Sequence, residues 1–192
     1  SDNWNVGINA ASGKYMLLIS DKGILKQGAL KYLHQLIITE NHKCITWGLD
    51  TFVNPNTLII ESEPIESIEI QSSELIKYML GADWASFDHA PMHCTSCVSM
   101  ELITKIKKTH HNLSQEINPD YTMAMQILLF TKSIYRINKN LAILRRPSLQ
   151  DGYGNGSSFL KKTEQSQNFL KDHTEWIKKT NMSSEIPIKD NP

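Results

Sequence analysis

Asp21 has the setting of a functional carboxylate. It belongs to the segment Ser20-Asp21-Lys22-Gly23, which directly follows the apolar run of residues 15–19. A continuous apolar run of this length favours a strand that is covered on both faces, as in a parallel sheet. Ligands of open α/β sheets bind at the carboxyl ends of such strands. The pattern therefore predicts a carboxylate near a phosphate or a metal ion, while an ordinary exposed turn fits the local residues equally well.

Cys94 and Cys97 form a Cys-x-x-Cys pair, with His89 and His93 just before it. Such a pair can be half of a zinc site or a redox-active dithiol. The remaining cysteine, Cys44, is distant in sequence, and no second pair completes a set of four ligands. In a thioredoxin-like dithiol the helix starts at the motif, whereas here the helical pattern starts after it. A zinc or thiol module is therefore the least favoured interpretation of the sequence.

Asp120 lies in the segment Asn118-Pro119-Asp120-Tyr121, far downstream of Asp21. Pro119 suits the first turn of a helix. An Asp at such a place more often caps the helix than takes part in catalysis. Residue type and position alone therefore favour a capping role for Asp120.

Arg145 and Arg146 precede a Gly- and Ser-rich segment, residues 150–158. Arginines make bidentate contacts with phosphate groups, and glycines allow a loop to act as a lid. Adjacent strand residues point to opposite faces, so at most one of the two arginines faces a site. A solvated strand end followed by a linker is an equally good interpretation. Trp47 and Trp84 could stack on a sugar, although a core position is commoner for tryptophan.

The elements that must position these residues alternate between strands and helices. This alternation predicts an α/β fold with a central mixed sheet and helices on both faces. Apolar periodicity and turn residues predict helices over residues 3–12, 24–40, 73–80, 100–108, 120–131 and 159–179, and strands over residues 14–20, 43–52, 57–61, 133–138 and 141–145.

Composition restricts the class of protein. A chain of 192 residues is long enough for one domain with a full core. Lys plus Arg equals Asp plus Glu, and a net charge of zero gives no indication of binding to nucleic acid or to a membrane surface. No apolar run approaches the ~18 residues of a transmembrane helix. Three cysteines fit a reduced, cytoplasmic protein better than a disulfide framework.

The N-terminal motifs resemble those of the family 2 glycosyltransferases of the GT-A (Rossmann-like) fold. Asn-x-Gly-Ile stands at residues 5–8, Ala-x-Gly-Lys-Tyr-Met at residues 11–16 and Ser-Asp at residues 20–21. Lys22 and Gly23 depart from the pattern, because the family usually has further aspartates there. The resemblance continues, less closely, to about residue 158.

The resemblance implies a bacterial-type enzyme of polysaccharide biosynthesis. Such an enzyme transfers a sugar from a nucleotide-sugar donor to a hydroxyl acceptor, a glycan or a lipid-linked precursor, and inverts the anomeric centre. It implies that Asp120 is the general base and that Asp21 holds Mg²⁺ or Mn²⁺. The alternative to a metal ion is that Lys22 itself supplies the positive charge. The residues implied in donor binding are Asn5, Gly7, Ser20, Asp21, Lys22 and Arg145. A non-catalytic relative that binds a sugar or a partner is the alternative.

The resemblance also predicts a domain organisation. The family begins with a nucleotide-binding stretch that is absent here, so the chain is expected to be an N-terminally truncated GT-A domain. Residues 1–158 would be the C-terminal portion of that domain, residues 159–180 a helix and residues 181–192 a mobile tail. The expected location is the cytoplasm, with peripheral association with the inner membrane face as an option that the sequence leaves open.

Overall fold

The computed structural model describes residues 2–54, 57–60, 66–81, 89–110, 113 and 119–145. The predicted boundaries at residues 158 and 180 lie outside these residues and stay predictions. The α/β class, with a mixed sheet flanked by helices, is confirmed. The elements are α1 (Asp2–Ala10), β1 (Tyr15–Leu17), β2 (Gly23–Leu25), α2 (Ala29–Glu40), β3 (Cys44–Asn54), β4 (Thr57–Ile59), β5 (Ile68–Gln71), α3 (Ser72–Leu80), β6 (Ser96–Ser99), α4 (Met100–His110), α5 (Pro119–Phe130) and β7 (Ser133–Arg145).

Within the described residues the strands form one sheet in the order β1-β6-β3-β7-β2. Strand β4 pairs with β3, and β5 pairs with β7. The pairing of β3 with β7 is parallel, and the other pairs are antiparallel. Strand β7 is long enough to pair with β5 along its first half and with β2 along its second half. It therefore connects strands from widely separated parts of the sequence.

Two hydrophobic clusters cover the two faces of the sheet. Side chains of α1, α3, α4 and α5 pack on one face, and α2 packs on the other. Successive residues of β3 show the alternation, because Cys44 belongs to the first cluster and Ile45 to the second. Trp47 is fully buried in the second cluster. Burial of each large side chain of this kind contributes about 1.5–3 kcal/mol to folding.

Strand β1 is covered on both faces as predicted, but its pairing differs from the prediction. Met16 lies in the first cluster, and Tyr15 and Leu17 pack against the second. The strand is only three residues long and pairs with β6 in the antiparallel sense, not in a parallel sheet. A continuous apolar run predicts that both faces of a strand are buried, but it does not predict whether the neighbouring strand is parallel or antiparallel.

The predicted helix over residues 24–40 is wrong at its start. Residues 23–25 form β2, and α2 begins at Ala29. The backbone N–H of Lys26 donates to Leu141 O at 2.8 Å, which extends the pairing of β2 with β7. Gly28 then turns the chain with φ +83°, in the left-handed region that glycine adopts without strain.

Two further differences from the prediction lie near the middle and the end of the sheet. Strand β5, at Ile68–Gln71, was not among the predicted strands. The two strands predicted around Lys139 and Asn140 are one strand, β7. Each error involves a short or interrupted pattern whose partner strand is remote in sequence.

Asn140 continues β7 because it has a buried partner. Its Nδ2 donates to Asp50 Oδ1 at 2.8 Å, and Asp50 Oδ2 pairs with Lys26 Nζ at 2.6 Å. A Cβ atom on Gly48 would lie 1.8 Å from Asn140 Oδ1, so glycine leaves the space for the amide. The cluster joins β3, β7 and the segment after β2, and so fixes β2 against the sheet.

None of the helices in the described ranges combines the length and the apolar character that crossing a bilayer requires.

Candidate functional site

Residues Ser20–Gly23 form a tight turn between β1 and β2. Gly23 N donates to Ser20 O at 3.0 Å, and Lys22 N donates to Ser20 Oγ at 3.3 Å. Asp21 and Lys22 are exposed at the tip of the turn. The local sequence thus folds the serine inward and presents one carboxylate and one ammonium group to solvent.

Cys94 packs against the inner side of this turn and is hydrogen-bonded to it. Ser20 N donates to Cys94 Sγ at 3.3 Å, and Cys94 N donates to Leu18 O at 2.7 Å. Cys94 O accepts a hydrogen bond from Trp47 Nε1 at 2.8 Å. A Cβ atom on Gly23 would lie 2.6 Å from Cys94 Sγ, so the thiol fills the space next to the glycine. Cys94 is fully buried and holds φ at +62°.

His93, the preceding residue, faces Asp120. His93 Nδ1 lies 3.7 Å from Asp120 Oδ2, and the other carboxylate oxygen accepts from Tyr121 N at 3.0 Å. The ring of Trp4 meets the His93 ring edge-on, with centroids 5.4 Å apart. Asp120 stands in the first turn of α5, where the helix dipole stabilises a carboxylate.

The dipeptide His93-Cys94 therefore contacts both the turn that carries Asp21 and the carboxylate of Asp120. Ser20 contacts Cys94 and Asp120 lies next to His93, and the Cα atoms of consecutive residues are about 3.8 Å apart. The site lies beyond the carboxyl end of β1, where ligands of α/β sheets bind.

The other predicted donor-binding residues are Arg145, Asn5 and Gly7. Arg145, at the end of β7, donates its backbone N–H to Lys22 O at 2.8 Å and so reaches the turn. Asn5 and Gly7 are carried by α1, whose Trp4 contacts His93. Gly7 is exposed, and a Cβ atom there would meet nothing within 4 Å. The structure thus gives Gly7 no steric reason to be glycine.

Burial sets the charge state of the His93 ring. It lowers the pKa of His93, and the charge of Asp120 opposes this effect only in part. The imidazole is therefore neutral at neutral pH. Burial also raises the pKa of Tyr121, and the negative charge of Asp120 adds to that shift. Asp120 thus has a neutral ring and a phenol as neighbours instead of a cation.

The carboxylate of Asp21 is the sole acidic ligand that the turn offers to a metal ion. No three His, Cys, Asp or Glu side chains come together as a metal site within the described ranges. Mg²⁺ commonly binds one or two carboxylates together with substrate phosphates and water. Within the turn, Asp21 is therefore the residue that could hold such an ion, with its other ligands supplied by water or phosphate.

The three cysteines do not support a zinc or thiol module. Cys44, Cys94 and Cys97 are free and buried. Burial raises the pKa of Cys97 to about 12, so this thiol stays protonated at neutral pH. The thiolate is the form that binds metals and attacks disulfides. The described geometry gives Cys94 a packing role under the Ser20–Gly23 turn.

Of the two tryptophans considered for sugar stacking, the structure describes Trp47. Trp47 has the core position that the sequence favoured over sugar stacking, because its side chain is fully buried and its Nε1 donates to Cys94 O. Trp84, Arg146 and residues 150–158 lie outside the described residues. His93 is the residue that sequence analysis did not connect to Asp120, because its spacing from Cys97 is visible in the sequence and its contact with Asp120 is not.

Comparison with solved structures identifies the class of fold. The chain has a glycosyltransferase-like fold, similar to that of S. aureus TarS, a glycosyltransferase. In the TarS complex with UDP-GlcNAc the match covers 96% of this chain and 55% of TarS, with 13% identity and a TM-score of 0.54. In a further TarS structure the match covers 96% of this chain and 54% of TarS, with 13% identity and a TM-score of 0.53. In the UDP complex it covers 73% of this chain and 38% of TarS, with 13% identity and a TM-score of 0.51.

The chain thus spans about half, or less, of the TarS structures it matches. At this identity the likeness shows the fold alone. No protein-family model and no curated protein matches the sequence, and membership of glycosyltransferase family 2 stays a prediction.

Proposed function

We propose that this chain forms part of a glycosyltransferase that moves a sugar from a nucleotide-sugar donor to a hydroxyl group. The acceptor would be a glycan or a lipid-linked precursor. The observation that carries the proposal is the convergence of the Ser20–Gly23 turn and Asp120 on the dipeptide His93-Cys94. Nucleotide sugar and acceptor need two such neighbouring places, one for a diphosphate and one for a base. The likeness to TarS, which was crystallised with UDP-GlcNAc, supports the same class of donor.

Asp120 acts as the general base in this proposal. Its carboxylate takes the proton of the acceptor hydroxyl while that oxygen forms a bond to the anomeric carbon. The bond from the anomeric carbon to the diphosphate oxygen breaks, and the nucleoside diphosphate leaves with the electron pair. Attack from the face opposite the leaving group inverts the anomeric centre.

The Ser20–Gly23 turn receives the diphosphate. Lys22 is exposed at its tip, and Arg145 is hydrogen-bonded to its backbone, so two cations are available to stabilise the negative charge of the leaving group. When Mg²⁺ or Mn²⁺ is bound, the ion supplies further positive charge there. Ser20, with Asn5 and Gly7 of α1, would complete the donor side.

Separate measurements of donor binding and transfer test this function. A thermal-shift panel of nucleotide diphosphates and nucleotide sugars, with and without Mn²⁺, identifies the donor, because a ligand that binds the folded state raises the Tm. Asp120→Asn is expected to leave this shift intact and to lower transfer about 10²–10⁴-fold. Glu66→Gln removes an exposed carboxylate elsewhere and serves as the control. Absence of a shift with every nucleotide contradicts the proposal.

A non-catalytic relative is the second candidate. The observation that favours it is the single carboxylate of the turn, where Lys22 and Gly23 replace further acids. Such a protein would bind a sugar nucleotide or a partner without transfer. Donor binding by the wild-type chain, with no product from any acceptor hydroxyl, would identify it.

A further inference from the structure

We propose that His93 is the positioning residue of Asp120: its Nδ1–H holds the carboxylate at Oδ2 in the orientation that receives the acceptor proton. This inference rests on the proposed function and adds to it a residue that neither the sequence motifs nor the comparisons assign. It concerns the atoms of one pair, His93 Nδ1 and Asp120 Oδ2.

The first argument is an unsatisfied ring nitrogen. His93 Nδ1 is buried and has no hydrogen-bond partner among the described residues. The nearest carboxylate oxygen, Asp120 Oδ2, lies 3.7 Å away. A shift of about 0.8 Å would bring the two atoms to the usual N–H···O distance. Catalytic hydrogen bonds are often long without substrate and tighten in the complex.

The second argument is that both partners are held in place. The backbone after His93 is fixed by two hydrogen bonds of Cys94, and Trp4 packs against the edge of the ring. On the other side, Tyr121 N occupies Asp120 Oδ1. Small rotations of the two side chains are therefore the movements left to close the gap. An arrangement of this kind fixes a base before substrate arrives.

The third argument concerns the proton on the ring. A neutral imidazole carries one proton, and the partner of each nitrogen decides where it stays. Because Nδ1 faces a carboxylate, the Nδ1–H tautomer is favoured, and the ring acts as a donor to Asp120. The alternative role, in which His93 itself accepts the acceptor proton at Nε2, predicts different behaviour of its variants.

Three substitutions distinguish positioning from proton transfer. Asn carries its amide nitrogen on Cγ, as His carries Nδ1, so His93→Asn keeps a donor towards Asp120. His93→Gln places the amide one bond further out, and His93→Ala removes it. We expect His93→Ala and His93→Gln to lower kcat about 10–100-fold with little change in the KM of the donor. His93→Asn should stay within several-fold of wild type.

Each other result overturns the inference. If His93→Asn loses as much activity as His93→Ala, the ring itself transfers the proton. If all three variants match wild type, His93 has no role in the reaction. If, in His93→Asn, the donor KM rises while kcat and the Tm fall, the residue is structural. Should His93→Ala fail to fold, the comparison of His93→Asn with His93→Gln decides.

An activity-independent measurement keeps the inference testable if no transfer is found. Long-range ¹H–¹⁵N NMR spectra report which ring nitrogen carries the proton. We expect Nδ1–H for His93, with a return towards the ordinary Nε2–H form in Asp120→Ala. His42 is the internal control, because its Nε2 faces Glu40 at 2.8 Å, and its spectrum should be unchanged. Nε2–H at His93 in the wild-type chain overturns the inference whatever the activity.

Discussion

Gly23→Ala provides a direct test of the contact that holds the Ser20–Gly23 turn on Cys94. The added Cβ would lie 2.6 Å from Cys94 Sγ and 3.2 Å from a methyl group of Ile19. Cys94 is fully buried and bonded through its backbone on both sides, so the thiol has little room to retreat. Overpacking of a buried site costs about 1–3 kcal/mol, and replacing a strand glycine by alanine returns about 0.5–1 kcal/mol. With both values near the middle of their ranges, the free energy of unfolding should therefore fall by about 1 kcal/mol.

A double-mutant cycle with Cys94→Ala isolates the thiol. Without Sγ, the nearest atom of residue 94 would be its Cβ at 3.6 Å, an ordinary van der Waals contact. The 3.2 Å contact with Ile19 remains and offsets the gain from replacing glycine, so Gly23→Ala should then change stability by less than about 0.5 kcal/mol. The expected coupling free energy is about 1 kcal/mol. Urea unfolding of the four proteins measures each free energy. Gly7→Ala is the control, because that Cβ meets open space, and it should stabilise the chain slightly.

An equal cost of Gly23→Ala in both backgrounds would refute the argument. The thiol would then not be what requires glycine, and the link from the turn through Cys94 to His93 would lose its basis. A cost that disappears with the thiol, together with a normal donor-induced Tm shift in the double variant, would show that packing and ligand binding at the turn are separable.

Two further outcomes follow from the described contacts. Asp50→Asn should lower the free energy of unfolding by about 2–3 kcal/mol, less than for a fully buried pair because Lys26 is 31% exposed and can rehydrate. Glu101→Gln breaks an exposed pair and should leave the urea midpoint unchanged. Asp21→Asn should remove the part of the nucleotide-induced Tm shift that needs Mn²⁺, and Lys22→Ala the part that does not. Unchanged shifts in both variants would count against diphosphate binding at the turn.

The sequence predicted the elements that carry a long pattern. Helices α2, α4 and α5 repeat their apolar residues over several turns, and the run before Asp21 correctly indicates a strand covered on both faces. Strands β2 and β5 have three and four residues, too few to display a period. Asn140 interrupts an apolar strand pattern, and its place in β7 depends on Asp50, 90 residues earlier. No local pattern contains that partner.

The site was predictable in part for a similar reason. Asp21 follows a strand and Asp120 begins a helix, so their positions at element ends could be read from neighbouring residues. The contact of His93 with Asp120 depends on the backbone conformation of the residues just before β6, where Cys94 has a left-handed conformation. A non-glycine residue with positive φ has no sequence signature of its own. The Cys-x-x-Cys spacing is visible in the sequence, but it gives no indication that His93 lies next to Asp120.

The position of β7 has a consequence for how this chain folds. β7 is the last strand of the described chain and pairs with β2, β3 and β5. These three strands emerge from a ribosome well before β7. Until β7 is synthesised, the backbone N–H and C=O groups that pair with it stay unpaired and can bind other chains. Sheets that close through such long-range pairings form slowly. Chaperone dependence during synthesis, and aggregation of chains that stop before residue 133, are the expected costs of a sheet whose described part is joined by its C-terminal strand.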